Sequence, residues 1–472
     1  MKTLVQLLSM LTEAQPVGAV SEPILRVHTD TRSLRPGDLF VALRGERFDA
    51  HDYLAQAHAA GAVGAVAERG LAAAGLAGVQ VPDTRAALGE LATLWRRQFH
   101  LPVVAVTGSN GKTTVTQMIA SIMRAAVGDG GTLATQGNFN NDIGVPLTLL
   151  RLLPAHRLAV VELGMNHPDE IAGLAAMAQP AVVLVNNAQR EHQEFMATVE
   201  AVARENASAF GSMQADGVAV FPAGDTYSAL WHELAEGRRI LTFGDAAAGA
   251  DVHAEARWMK GGWQLNVSTP EGSFETHLSV AGRHNVRNAL AATASALAAG
   301  VSRSAIASGL QAFQAVQGRS RLLPFVFHGR DRMLVDDSYN ANPDSVRAAI
   351  DVLAELPGPR MLALGDMGEV GEQGLAFHEE VLRHALSQGI ERVLVTGEWM
   401  AQASKGLVSD AQGRLHYHPA FESLVTDALD QLPGVGSILV KGSRFMRMER
   451  LVQRVLTLSD SHTQQEGARH AA

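Results

Sequence analysis

The segment Thr107-Gly108-Ser109-Asn110-Gly111-Lys112-Thr113-Thr114 joins a continuous apolar run, residues 103–106, to a helix-forming stretch, 112–126. Its residue types are those a triphosphate demands. Glycines let backbone N–H groups close on phosphate oxygens, Lys112 offsets the β- and γ-phosphate charge, and a threonine hydroxyl ligates Mg2+. Val106 stands where the longer G-x-x-x-x-G-K-[ST] pattern has its first glycine, so the loop is short. The plainer reading is a glycine turn before a helix, but the strand, glycine pair, lysine and two threonines together weigh against it. Alone, the loop says nucleoside triphosphate and leaves kinase, GTPase and ligase open.

Other chemistry-bearing residues are weaker by themselves. Glu162 ends the apolar run 156–162, where it could meet Mg2+ or close a loop salt bridge. His192 follows the next apolar run, after Asn186-Asn187. The amide-rich stretch 135–144, with Asn138, Asn140 and Asn141, suits sugar or phosphate contacts and equally a polar surface loop. Asn285 and Asn288 stand three apart at a helix start. Their amides could read an adenine edge, or Asn285 could cap the helix. Asp336-Asp337-Ser-Tyr-Asn-Ala-Asn-Pro343 offers carboxylates and amides for a ribose or substrate, or ordinary turn chemistry.

Elements must carry these residues to one place. Residues 38–43 and 64–67 read as buried strands, 51–60 and 86–98 as helices, the latter with Leu88, Leu91, Leu94 and Trp95 on one face. From Pro102 onward strands (103–106, 156–162, 181–185) alternate with helices (112–126, 168–178), which predicts a parallel sheet. Residues 250–279 turn to strict alternation, an antiparallel excursion, and 284–299 reads as a helix. A third regime from Gln317 alternates strands (332–336, 360–364, 392–396, 437–440) with helices (343–356, 375–388, 423–432, 445–455), as a doubly wound domain does. No internal repeat is present.

Composition bounds the rest. The chain has 472 residues, 47% hydrophobic and 18% charged, enough for about three domains. Basic residues number 39 and acidic 48, giving −9, a poor balance for a general nucleic-acid binder. No cysteine is present, which removes disulfides, thiolate metal sites and thiol nucleophiles together. Leu4, Leu7, Leu8 and Leu11 share a helical face interrupted by Gln6 and Ser9, so the first residues read as an amphipathic helix and not as a secretory signal. The longest uncharged stretch, 171–189, is broken by Gln179-Pro180 and is a poor membrane span. The expectation is a cytoplasmic protein with no membrane insertion.

Taken together, these segments resemble the ATP-dependent Mur ligases, and within them the branch that acts on UDP-MurNAc-tripeptide and D-alanyl-D-alanine. The resemblance runs from His28 to Glu449. It is carried by TDTRSLRPGDLFVALRGERFDAHDY (29–53), TGSNGKTT (107–114), GNFNNDIGVPLTLL (137–150) and VELGMNHPDEI (161–171). GRHNVRNALAA (282–292), DDSYNANPDSV (336–346), ALGDMGE (363–369) and KGSR (441–444) complete it. It implies an α/β chain of three domains: an N-terminal α/β UDP-substrate domain (1–100), a central P-loop parallel-sheet ATPase domain (101–316) and a C-terminal Rossmann-like domain (317–458), then a polar tail (459–472). It also implies a monomer that closes on ATP and substrate. The alternatives are a sister amino-acid ligase, folylpolyglutamate synthase or a nucleotide-binding regulator without catalysis.

The reaction implied is amide formation through an acyl phosphate. By matching position, Lys112, His192 and Arg319 are the catalytic set. Gly108, Ser109, Asn110, Gly111, Lys112, Thr113, Thr114, Asn285, Asn288, Arg319 and Asp337 hold ATP. Thr113, Glu162 and His192 hold Mg2+. Ser33, Arg44, Gly45, Arg47, Phe48, His51, Asn138, Asn140 and Asn141 receive the UDP-linked substrate. Where many members carry a lysine thought to be carbamylated, this chain has Asn206, beside Arg204 and Glu205. The resulting expectation is that Asn206, helped by water or Glu205, supports the second metal without carbamylation.

Overall fold

The computed structural model describes residues 2–191, 194–259, 261–407 and 409–458. The expected histidine ligand His192 and the tail 459–472 lie outside them.

Among the described residues three large sheets follow one another along the chain, with a small three-stranded sheet between the second and the third. The first runs in the order Gln15–Val17, Gly78–Gln80, Gly64–Ala67, Asp38–Val41, Arg26–His28, parallel except for its first pairing. Asp38–Val41 and Gly64–Ala67 are buried throughout, as apolar runs in a covered parallel sheet should be, and Asp38 is buried in a pair with Arg26. Helix Thr84–Arg96 begins two residues earlier than its apolar stripe, because Asp83 accepts from the N–H groups of Arg85 and Ala86. The helix expected over 51–60 starts as a 3-10 turn, Ala50–Tyr53, where Asp49 caps His51, and becomes α-helical only over Leu54–Ala59. Leu4, Leu7, Leu8 and Leu11 enter the core, though the helix itself spans only Leu4–Leu8.

Buried Arg96 fastens this unit to the next. Its guanidinium donates to the carbonyls of Ala178 at 2.8 Å and Phe99 at 2.6 Å, near the C-terminus of helix Glu170–Ala178. Burial holds its pKa below the ordinary value, and those carbonyls compensate the desolvated charge.

The central sheet is parallel throughout: Arg239–Phe243, Val218–Pro222, Val182–Val185, Val103–Thr107, Leu158–Glu162, Thr132–Ala134. Strand Val103–Thr107 comes first in sequence and lies inside the sheet. Chain order therefore reverses beside it, and the loops leaving its end and its neighbours' ends splay apart into a crevice. The alternating segment forms a three-stranded antiparallel sheet, His253–Met259, Gly262–Thr269 and Gly272–Leu278. Helices Lys112–Val127 and Arg283–Ala298 bury apolar faces in one core against the central sheet.

The third sheet runs Arg321–Phe327, Arg330–Asp337, Ser437–Lys441, Arg360–Gly365, Arg392–Thr396, Leu415–His418. Only its first pair is antiparallel. The edge strand Arg321–Phe327 contains Pro324, which lacks an N–H and is tolerated at an edge. Among the described residues no helix is long and apolar enough to cross a membrane.

Candidate active site

The phosphate loop is held open by asparagines. Gly108 takes φ +127°, and a Cβ there would press on Asn186 and the backbone of Asn187 at 3.0–3.1 Å. Gly111, at φ +80°, begins helix Lys112–Val127, so the helix N-terminus and its unpaired N–H groups face the crevice. Asn186 Nδ2 and Asn187 Nδ2 both donate to the Asn110 carbonyl, at 2.8 and 2.9 Å, while the Asn110 N–H donates to Asn187 Oδ1 at 2.9 Å. Lys112 Nζ reaches back to the Ser109 carbonyl and to Glu191, both at 3.0 Å.

Glu162 is almost wholly buried at its strand end. Its Oε1 accepts from Thr113 Oγ1 at 3.1 Å and Asn140 Nδ2 at 2.8 Å. Its Oε2 is buried and has no hydrogen-bond partner. A buried carboxylate oxygen without a donor is costly unless a cation completes it. One oxygen held by a threonine hydroxyl and the other left over suits a hard divalent ion. Among the described residues no group of three or more His, Asp or Glu is assembled for a metal. Glu162 with Thr113 is thus the donor set that fits Mg2+.

The third sheet contributes the opposite wall. Arg319 lies over the Tyr339 ring, 4.2 Å from its centroid, and Arg444 stands 5.6 Å from the same ring. Asp337 accepts from the Ser320 N–H at 2.8 Å and pairs with Lys441, whose Nζ also donates to the Asn340 carbonyl at 2.8 Å. Asp336 is buried and accepts from the Gly318 N–H at 2.9 Å, fixing the turn that presents Arg319. His284 lies near Asp337 and Lys441, and burial pushes its imidazole below the ordinary value. Arg319, Tyr339, Asp337, Lys441, Arg444 and His284 line one cleft of about 900 Å³ with the phosphate loop.

The cleft gathers Ser109 through Thr114, Asn138, Asn140, Asn141, Glu162, Asn285, Asn288, Arg319 and Asp337. Ser33, Arg44, Gly45, Arg47, Phe48 and His51 do not line it. Arg44 to Phe48 form an exposed loop in which the Gly45 N–H donates to the Phe48 carbonyl, and Ser33 bonds His28 at 2.8 Å. His51, expected to receive the UDP-linked substrate, is engaged within the protein. It is buried, with Nδ1 on Asp49 and Nε2 accepting from the Glu68 N–H at 2.8 Å, so both ring nitrogens are spent on holding the loop.

Two sets of amides are engaged within the protein as well. Asn285 donates to the Ala281 carbonyl and accepts from Asn288 at 3.0 Å, and Asn288 Oδ1 accepts from Asn186 at 3.1 Å. The pair fastens its helix to the phosphate loop, and the amide edges that would read adenine are largely engaged. The helix cap is Gly282, not Asn285. Asn206 is fully used: its Oδ1 accepts from the Gly108 N–H at 2.8 Å and its Nδ2 donates to the Val202 carbonyl at 3.0 Å. It supports the phosphate loop and turns neither group toward a metal. Nor does Glu205, which accepts from the Asp169 and Ile171 N–H groups. The asparagine doublet after a buried strand and the acidic Glu191 were the signals for the loop's real supports.

Family models match along nearly the whole chain: a Mur ligase family catalytic domain over residues 23–96, a Mur ligase middle domain over 106–296 and a Mur ligase glutamate ligase domain over 318–444. The chain is 42% identical over 430 residues to UDP-N-acetylmuramoyl-tripeptide--D-alanyl-D-alanine ligase of Escherichia coli (strain K12), spanning 90% of this chain and 92% of that relative. It is 29% identical to the ligase of the same name from Bacillus subtilis (strain 168), over 91% and 93% of the two chains. Among solved structures, MurF from Acinetobacter baumannii superposes with a TM-score of 0.88 at 35% identity, over 97% of this chain and 98% of that one. A MurF ligase from Thermotoga maritima in complex with ADP gives 0.78 at 26% identity, over 93% and 99%.

Proposed function

The chain belongs to the Mur ligase family, and we infer from this premise that it is an ATP-dependent ligase joining D-alanyl-D-alanine to UDP-MurNAc-tripeptide in peptidoglycan synthesis. The observation that carries the reading is the shared cleft. A phosphate loop, a buried carboxylate with an open oxygen and two arginines from loops flanking the third sheet face one volume.

A free carboxylate is a poor electrophile. Transfer of the γ-phosphoryl group of ATP to the tripeptide carboxylate gives an acyl phosphate and ADP. The amine of D-alanyl-D-alanine then adds to the carbonyl, and the tetrahedral intermediate collapses with release of phosphate and a proton. Lys112 leaves Glu191 to meet the β- and γ-phosphates, and the N–H groups at the start of helix Lys112–Val127 donate to the remaining phosphate oxygens. Arg319, steadied on Tyr339, approaches the transferring phosphoryl group from the other wall. Asp337 and Lys441 hold the ribose side, and Asn138, Asn140 and Asn141 border the acceptor substrate. Thr113 and Glu162 would hold Mg2+, which would supply positive charge to offset the phosphates. With no cysteine in the chain, no protein thioester route competes.

We assign the UDP end to residues 1–100, ATP to 101–316 and closure of the site to 317–458, a division supported by the three sheets. The exposed loop 44–48 and Ser33 face the UDP moiety away from the ATP cleft. The enzyme acts as a cytoplasmic monomer. The test is phosphate release from ATP, which must require both UDP-MurNAc-tripeptide and D-alanyl-D-alanine. Release with either substrate omitted overturns the reading, as does turnover retained by Lys112→Ala.

A further inference from the structure

The segment after strand Val182–Val185 does two jobs with adjacent residues. Glu191 pairs with Lys112 of the phosphate loop. Arg190 points the other way and grips the third unit. Its guanidinium donates to Asp344 at 2.6 Å and to Glu380 at 2.7 and 3.1 Å, and it lies 5.2 Å from the centroid of Phe377. Its backbone N–H also donates to Asp344 at 2.9 Å. Asp344 opens helix Pro343–Ala354 and Glu380 lies on helix Gly374–Ser387. These carboxylates raise the Arg190 pKa well above its ordinary range, and Arg190, helped by Arg347, holds that of Glu380 down, so the clamp stays charged. A further bond crosses nearby, Asn342 Nδ2 to Asn110 Oδ1 at 2.8 Å.

We propose that Arg190 is a positioning residue that couples the phosphate site to the placement of the C-terminal unit. Glu191 and an incoming phosphate compete for the Lys112 ammonium. Moving Glu191 off Lys112 pulls on a backbone whose next residue is fixed to two helices of the third sheet. Part of the nucleotide's binding free energy therefore goes into shifting the clamp, and the clamp in turn sets where Arg319 and Asp337 stand. Linkage makes the coupling reciprocal: what the phosphate does to the clamp, the clamp does to phosphate affinity. An ordinary surface ion pair would have no such effect.

The proposal rests on the ligase reading for its kinetic arm alone. Its binding arm uses a non-hydrolysable ATP analogue with Mg2+ and the full chain, followed by titration calorimetry. Arg190→Ala should bind the analogue about fivefold or more tightly, because Glu191 is released at lower cost. Its kcat with all three substrates should fall about tenfold to a hundredfold, as the C-terminal groups lose their register. Arg190→Lys, able to hold one carboxylate, should lie between. Glu380→Gln cuts the clamp from the far side and should move both quantities in the same directions. The double variant should be little worse than Arg190→Ala. Unchanged or weaker analogue binding in Arg190→Ala overturns the coupling, and so do additive effects in the double variant. Failure of the ligase reading shows separately, as wild-type phosphate release that ignores the peptide substrates.

Discussion

Replacing Asn206 distinguishes a loop anchor from a metal ligand. In Asn206→Ala the Gly108 N–H, buried at the strand end, loses the acceptor that stands 2.8 Å away, and the bond to the Val202 carbonyl goes too. An orphaned buried donor costs about 1–3 kcal/mol, and the void of the lost amide brings the total to about 2–3 kcal/mol. In a region of this size that lowers the first thermal transition by about 4–12 °C. Analogue affinity should fall as well, because the loop N–H groups that cradle phosphate lose their template. Asn206→Asp restores an acceptor but buries a charge, so it should also melt early, and the Mg2+ concentration for half-maximal activity should not drop. Melting followed by fluorimetry, with a Mg2+ titration of activity in bicarbonate-free buffer, reads all of this. Asn206→Ala with an unshifted transition, or Asn206→Asp with a markedly lower Mg2+ requirement, refutes the argument. Bicarbonate-dependent recovery of activity would contradict the absence of carbamate chemistry.

Glu162→Gln keeps an oxygen for Thr113 and Asn140 but removes the charge on the open side. The fold should melt normally, while the Mg2+ requirement rises and kcat falls about a hundredfold or more, seen in a metal titration. Lys441→Ala strips a buried cation from Asp337 and should cost about 3–5 kcal/mol in denaturant unfolding. Burial holds His284 and His378 below the ordinary histidine value, and His378 accepts from the Met367 N–H at 2.9 Å only when neutral. The unfolded chain takes up these protons near pH 6.5 and the folded chain does not, so stability is full above that value. Denaturant midpoints should decline as pH falls from 7 toward 5. His378→Gln should flatten the decline, and a midpoint that stays level refutes the assignment.

Local chemistry was legible wherever neighbours in sequence make it. The loop Gly108–Thr114 reads directly because strand, glycines and lysine are adjacent, and strand Gly64–Ala67 reads as an apolar run because both its faces are covered. The edge strand Arg321–Phe327 is not among the strands read from the sequence, and its Pro324 is compatible with a strand only at an edge. Asn285 and Asn288 carried the right spacing for a shared face, but their partner, Asn186, is 102 residues from Asn288 in the chain. Glu191 lies 79 residues from Lys112, and Arg190 lies 190 from Glu380. No periodicity encodes such pairs; topology alone brings them together. His51 and Asn206 were visible as polar residues in meaningful places, yet whether a polar group faces a ligand or a backbone N–H depends on packing that composition does not report.

The bonded state of Asn110 also bears on how the protein ages. Asn110 precedes Gly111, and an asparagine before glycine deamidates readily when the glycine nitrogen can swing onto the side-chain carbonyl. Such residues are among the thermolabile ones. In the folded loop, Asn110 is tied through its N–H, its carbonyl and its side chain to Asn187, Asn186, Gln189 and Asn342. The ring closure that begins deamidation must break these bonds first. Chemical lifetime at this position is therefore set by how often the cleft opens, and a ligand that keeps it shut should preserve the enzyme against a lesion that would place a new negative charge beside the phosphate site.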